Sequence, residues 1–197
     1  MPGKGERTKQ MIIEKGAPLF NKKGISGTSI DDVLDATQIA KGSLYGYFDS
    51  KEALSHTIVS HLLDRLVSIT EAAVNRETTA KKKLFALLDV YKTPLNPPLQ
   101  GGCPILNFGV ESDDTDPVVR RKVRTVILGA LEAIKAVITE GIRNKEFRPD
   151  FDAGEFALKA FTLIEGSMMV CKVLNSNKPM QQLMGMLKKE IEGYSLK

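Results

Sequence analysis

Cysteine, histidine and long apolar runs are scarce in this sequence, and each shortage closes off a class of function. The two cysteines, Cys103 and Cys171, form neither a metal-ligand spacing nor a disulfide framework, which suits a reducing cytoplasm. His56 and His61, the only histidines, stand five apart on one helical stretch, so they do not share a face as ligands three or four apart would. No apolar stretch approaches the ~20 residues of a membrane span. The opening MPGKGERTKQ lacks the apolar run of a signal peptide. A Gly-rich phosphate loop, a serine elbow and a Cys–His constellation are all missing, which argues against an enzyme. The acidic run ESDDTDP lacks the spacing and central glycine of a calcium loop and reads as a cap for the helix after it. No metal or other cofactor is expected.

What is present is helical. The 197 residues are 42% apolar and 26% charged, with a net charge of +4 that permits nucleic-acid binding without establishing it. Neither a strand pattern nor an internal repeat is found. Helical spacing runs from Arg7 to Lys23, with Pro18 expected to distort it. Ser29 starts a second helix, a third covers Ala40 to Phe48, and Ser50 caps a long fourth through Leu54, Ile58, Leu62 and Leu66. Helices follow over Thr79 to Tyr91 and Pro104 to Glu111. Others open at Asp116-Pro117, at Asp152 with Glu155 as a capping box, and at Pro179. The expectation is all-α, with about nine helices: a three-helix head over residues 1–50 and a helical body over 51–197.

The informative stretch is SIDDVLDATQIAKGSLYGYFDSK, Ser29 to Lys51. Two short helices around a tight turn fit a helix-turn-helix. A helix that enters a groove about 12 Å wide needs small residues on its leading face. Gly42 and Ser43 give that clearance, and Lys41 offers a donor at the tip. Leu44 and Phe48 anchor the helix inward and Ile39 braces the turn. Tyr45 and Tyr47 are left near the surface for phosphate, and Lys51 adds charge at the start of the fourth helix. Thr28 and Ser29 can do likewise at the second helix. The basic start, Lys4, Arg7 and Lys9, reads as a disordered arm, with reach into an adjacent groove as the alternative.

These residues resemble the tetracycline-repressor family (TetR/AcrR type). The match runs through Ala17, Leu19-Phe20, Gly24, Gly27-Thr28-Ser29 and Ile30. It continues with Ile39, KGSLY from Lys41, Tyr47-Phe48 and SKEAL from Ser50. Gln38 and Ala40 depart from the usual Gly in the turn and Ser or Thr cap. If Gln38 takes positive φ it costs about 1 kcal/mol, and a lost cap costs about as much. The resemblance implies a ligand-responsive transcription regulator, mostly repressive in this family. It would bind palindromic double-stranded operator DNA as a homodimer and be released by a small apolar or amphipathic effector. Thr28, Ser29, Tyr45, Tyr47 and Lys51 would then hold phosphates, and Lys41, Gly42 and Ser43 would face base edges.

In the body, Phe156 to Leu174 is apolar on nearly every face and so needs partners on every face. Phe161 and Met168, with Leu183, Leu187 and Ile191 of the last helix, are the expected dimer contacts. A pocket is expected among Tyr91, Phe108, Phe161 and Met168, with Asn107, Glu111 and Glu165 as polar groups and Met168-Met169 as a plastic wall. Cys103 joins this set. Its place at a helix N-terminus invites a redox reading, but no basic residue is adjacent and a packed thiol is favoured. The fourth helix, shared by head and body, is the expected lever. The rival reading is a helical ligand-binding or interaction protein whose head no longer binds DNA.

Overall fold

The computed structural model describes Gly3 to Leu196 and is all-α across those residues. Nine helices are found among them: α1 (Lys4–Lys23), α2 (Ile30–Thr37), α3 (Lys41–Tyr45), α4 (Lys51–Val74), α5 (Ala80–Val90), α6 (Pro104–Ser112), α7 (Pro117–Arg143), α8 (Ala153–Val173) and α9 (Lys178–Tyr194). The predicted caps explain most of these starts. Ser29 accepts from Asp32 N–H at 3.0 Å, Ser50 from Ala53 N–H at 3.1 Å, and Asp152 from Glu155 N–H at 2.9 Å. Asp116 receives the N–H groups of Val118 and Val119 at 2.9 and 3.0 Å, so the acidic run does cap α7. The arrangement at Asp152 is one-sided: its side chain accepts from Glu155 N–H, while the Glu155 carboxylate lies 3.9 Å from Lys159.

One expectation about α1 changes. The helix begins at Lys4, so Arg7 and Lys9 lie on a regular helix instead of a disordered arm, with Lys9 Nζ 5.3 Å from the centre of the Phe48 ring. The helix runs to Lys23 with Pro18 inside it. Ile12, Ile13, Ala17 and Phe20 bury one side of α1 on both flanks of the proline, and that packing outweighs a single missing N–H.

The chain forms two compact units. The first contains residues 1–66 and 99–124, the second 67–98 and 125–197. In the first, α1 packs on α2 and on α6. His56 of α4 lies 2.8 Å from Asp116 Oδ2, and Lys122 of α7 donates to His56 O at 2.8 Å and Ser60 Oγ at 2.6 Å. Asp116 is partly desolvated, which raises its pKa. The Val119 and Val118 N–H bonds and the neighbouring His56 outweigh that and hold it below the ordinary carboxylate value.

In the second unit α9 packs on α8 and α5. Its core includes Leu84, Leu88, Ala160, Ile164, Met180 and Leu187. An aromatic corner closes one end: Phe151 stacks on Tyr194 at 4.3 Å and meets Phe147 and Phe156 edge-on at 5.3 and 5.2 Å. Here the chain makes an isolated bridge between Phe147 and Ser195; no strand occurs among the described residues.

Candidate nucleic-acid interface

Helix α3 owes its position to a turn that the sequence makes difficult. Gln38 adopts the left-handed conformation, φ 60° and ψ 31°, where a side chain costs about 1 kcal/mol. Two bonds offset this: Gln38 N–H to Leu34 O at 2.7 Å and Gln38 Nε2 to Asp35 O at 2.6 Å. Ala40 starts α3 with no side-chain cap. The helix is held instead by Leu44, 1% exposed, and by Phe48, also buried, which fix its inner face. Lys41, Gly42 and Ser43 are exposed, and a methyl group built on Gly42 would meet nothing within 4 Å. Tyr45 is 42% exposed, while Tyr47 and Lys51 are half-buried.

The start of α2 is built differently. Thr28 is 0% exposed, and its hydroxyl donates to Gly24 O at 2.7 Å. That side chain locks the turn between α1 and α2 and has no free edge for phosphate. Ser29 is exposed, but its N–H and hydroxyl both donate to Asp32 Oδ2, at 2.8 and 2.9 Å. Asp32 thus occupies the α2 N-terminus with its own negative charge. The Lys23 ammonium, 2.6 Å away, is the foremost cause holding its carboxyl down at about 2; the Ser29 bonds add to this. A phosphate at this end would be repelled by a charge already in place.

The expected pocket residues are divided between the two units. Cys103, Asn107, Phe108 and Glu111 lie in the first, where Cys103 and Phe108 are buried. Asn107 Nδ2 donates to Asn21 O at 2.8 Å, and the Glu111 carboxylate receives the N–H groups of Ile25 and Ser26 at 2.9 and 2.8 Å. Both polar groups are therefore turned to α1 and the turn after it. Tyr91, Phe161, Glu165 and Met168 lie in the second unit, where Tyr91 Oη is 3.2 Å from Thr70 Oγ1 and Met168 is buried. A cleft of about 690 Å³ there, lined by Ala73, Arg76, Phe85 and Asp89 among others, includes none of the eight.

The expected dimer contacts lie on α8 and α9. Met168, Leu183, Leu187 and Ile191 are buried within the chain's own core, and Phe161 is half-buried. The apolar surface of α8 and α9 belongs to other residues: Leu158, Leu163, Met169, Val170, Val173 and Met186, with Val173 78% and Met186 67% exposed. Leu158, Met169 and Val173 recur at helical spacing on the side of α8 opposite Ala160, Ile164 and Cys171. An all-round apolar sequence was the signal; periodicity alone could not tell which face turned inward.

A helix-turn-helix with a bare small-residue edge, joined to a helical body, is the architecture of a DNA-binding transcription regulator. Residues 12–58 match the model for bacterial regulatory proteins of the tetR family, and residues 80–187 match the tetracyclin repressor-like C-terminal domain. The HTH-type transcriptional repressor DhaR of Mycobacterium sp. (strain GP1) is 26% identical over 182 residues, 89% of this chain and 88% of that protein. A TetR-family transcriptional regulator from Cytophaga hutchinsonii superposes with a TM-score of 0.90 at 34% identity, covering 100% of this chain and 99% of that one. A second, from Chloroflexus aurantiacus, gives 0.92 at 34% identity, with 98% of each chain covered. The chain belongs to the tetR family of transcriptional regulators. Among the described residues no helix is long and apolar enough to cross a membrane, and no cluster of metal-ligating side chains is found.

Proposed function

We propose that this chain is a repressor that binds a palindromic operator as a homodimer through residues 1–50 and is released by a small apolar or amphipathic molecule held in residues 51–197. The observation that carries the reading is the exposed edge of Lys41, Gly42 and Ser43 over a helix pinned by Leu44 and Phe48. Lys41 donates to base edges, with Gly42 and Ser43 giving clearance. Tyr45, Tyr47 and Lys51 bond phosphates, and Ser29 adds a contact only if its hydroxyl turns away from Asp32. Thr28 serves through the turn it locks.

Two copies meet through Phe161 and the exposed apolar side chains of α8 and α9, since exposed apolar surface marks an association site. Twofold symmetry then matches two half-sites. Tyr91, Phe161, Glu165 and Met168 remain the candidate effector contacts. DhaR, named a repressor, supports the sign of regulation.

The test is fluorescence anisotropy on a duplex selected by the protein from a random pool. Each phosphate neutralised should contribute a slope of about −0.9 in log affinity against log salt. Failure to enrich any sequence would sink this reading and favour a helical ligand-binding protein with a silent head.

A further inference from the structure

The buried Asn21 marks a joint that DNA reading does not itself require. It lies near the end of α1, and its side chain uses both its donor and acceptor groups. Nδ2 donates to Gln100 O and Gly102 O, each at 2.9 Å. Asn107 Nδ2 of α6 reaches Asn21 O at 2.8 Å and Asn21 Oδ1 at 3.0 Å. One turn of helix further on, Glu111 receives two N–H groups of the turn between α1 and α2, from Ile25 at 2.9 Å and Ser26 at 2.8 Å.

Glycines on both sides make the approach possible. Gly101, at φ 100°, passes so close to Asn21 that a methyl group there would lie 2.8 Å from its carbonyl carbon. A methyl group on Gly24, at φ 79°, would lie 2.8 Å from the Glu111 carboxylate. The loop and α6 therefore grip the end of α1 at two points about one helical turn apart. That spacing resists rotation as well as separation.

We infer that Asn107 and Glu111 are positioning residues for operator binding: together they form a clip that fixes the α1–α2 turn, and through it the aim of α3. The clip rests on the DNA-binding reading above. Glu111 makes charge-assisted bonds to two backbone N–H groups at once, which holds the turn in one orientation against α6.

The charge sign makes the inference testable. Glu111→Gln removes one negative charge from a DNA-binding unit, which by Coulomb's law alone favours binding to every duplex. Ile25 and Ser26 donate to different oxygens of Glu111; in the amide one of those positions is an NH2 donor, so the two bonds cannot both form as they stand. The assay compares wild type and Glu111→Gln by anisotropy, on the selected duplex and on a scrambled one, well below the melting temperature of both proteins. The expected result is a tenfold or greater loss on the selected duplex, no loss on the scrambled one, and faster hydrogen exchange at Ile25 and Ser26. Equal affinity on the selected duplex, or an equal loss on both, overturns the clip. Should Glu111→Gln not fold, Asn107→Ala is judged by the same criteria, and loss of the fold in both variants overturns it too. A wild-type chain that selects no duplex refutes the DNA-binding reading instead, and the Ile25 and Ser26 exchange rates of Glu111→Gln then judge the contact alone.

Discussion

Gly42→Ala separates a residue that builds the head from one that reads DNA. Gly42 is helical and exposed, and the added methyl would meet nothing within 4 Å. Alanine in place of glycine in a helix should therefore stabilise the fold by about 0.5 kcal/mol, or roughly 1–2 °C for a chain of this size. If α3 enters the groove as proposed, the same methyl adds to a space that the helix already fills. Overpacking typically costs about 1–3 kcal/mol. In a twofold complex it is met twice, so the smallest expected loss is about 2 kcal/mol, or roughly 30-fold in Kd. No charge changes, so the salt slope should stay where it was. Differential scanning calorimetry and anisotropy on the same preparation would measure both sides. Unchanged affinity, or a fall in melting temperature, would refute the placement of Gly42 at the DNA edge.

The other predictions address the body and the acid response. Val173→Glu, on the most exposed apolar position of α8, should yield monomers by light scattering with an unchanged circular dichroism spectrum. Leu187→Ala, at a position 2% exposed, should instead destabilise each chain by about 2–5 kcal/mol in urea unfolding. Asp32 should titrate at about 2 by carboxyl NMR, chiefly because Lys23 donates to it, and Lys23→Ala should move that midpoint upward. Its folded pKa lies below the unfolded value of 3.8, so its contribution is fully present above pH 4 and disappears as pH falls towards 2.

Much of the fold was legible because helix starts are chemical. Ser29, Ser50, Asp116 and Asp152 each carry a side-chain acceptor, and each cap is formed. The left-handed Gln38 could be anticipated from the place where relatives of this kind put glycine, though its compensating bond to Asp35 O could not. Facing was harder to read. Leu187 and Met186 are neighbours of similar apolarity, yet one is buried and the other exposed, because packing partners distant in sequence decide which side of α9 turns inward. Asn107 and Glu111 illustrate the same limit for polar residues. Their spacing places them on one face of α6, but only the fold brings Asn21, Ile25 and Ser26 to meet that face. Thr28 suits a phosphate by residue type, and only the fold shows its hydroxyl buried and donating to Gly24 O.

The most direct measurement is a hydroxyl-radical footprint of the wild-type protein on its selected duplex, repeated with Lys41→Ala. Two symmetric protected half-sites should appear with centres about 10 base pairs, or a multiple of that, apart, and Lys41→Ala should weaken both alike. A single unsymmetric protected patch, or a pattern indifferent to Lys41, would contradict a twofold reader that works through the α3 edge.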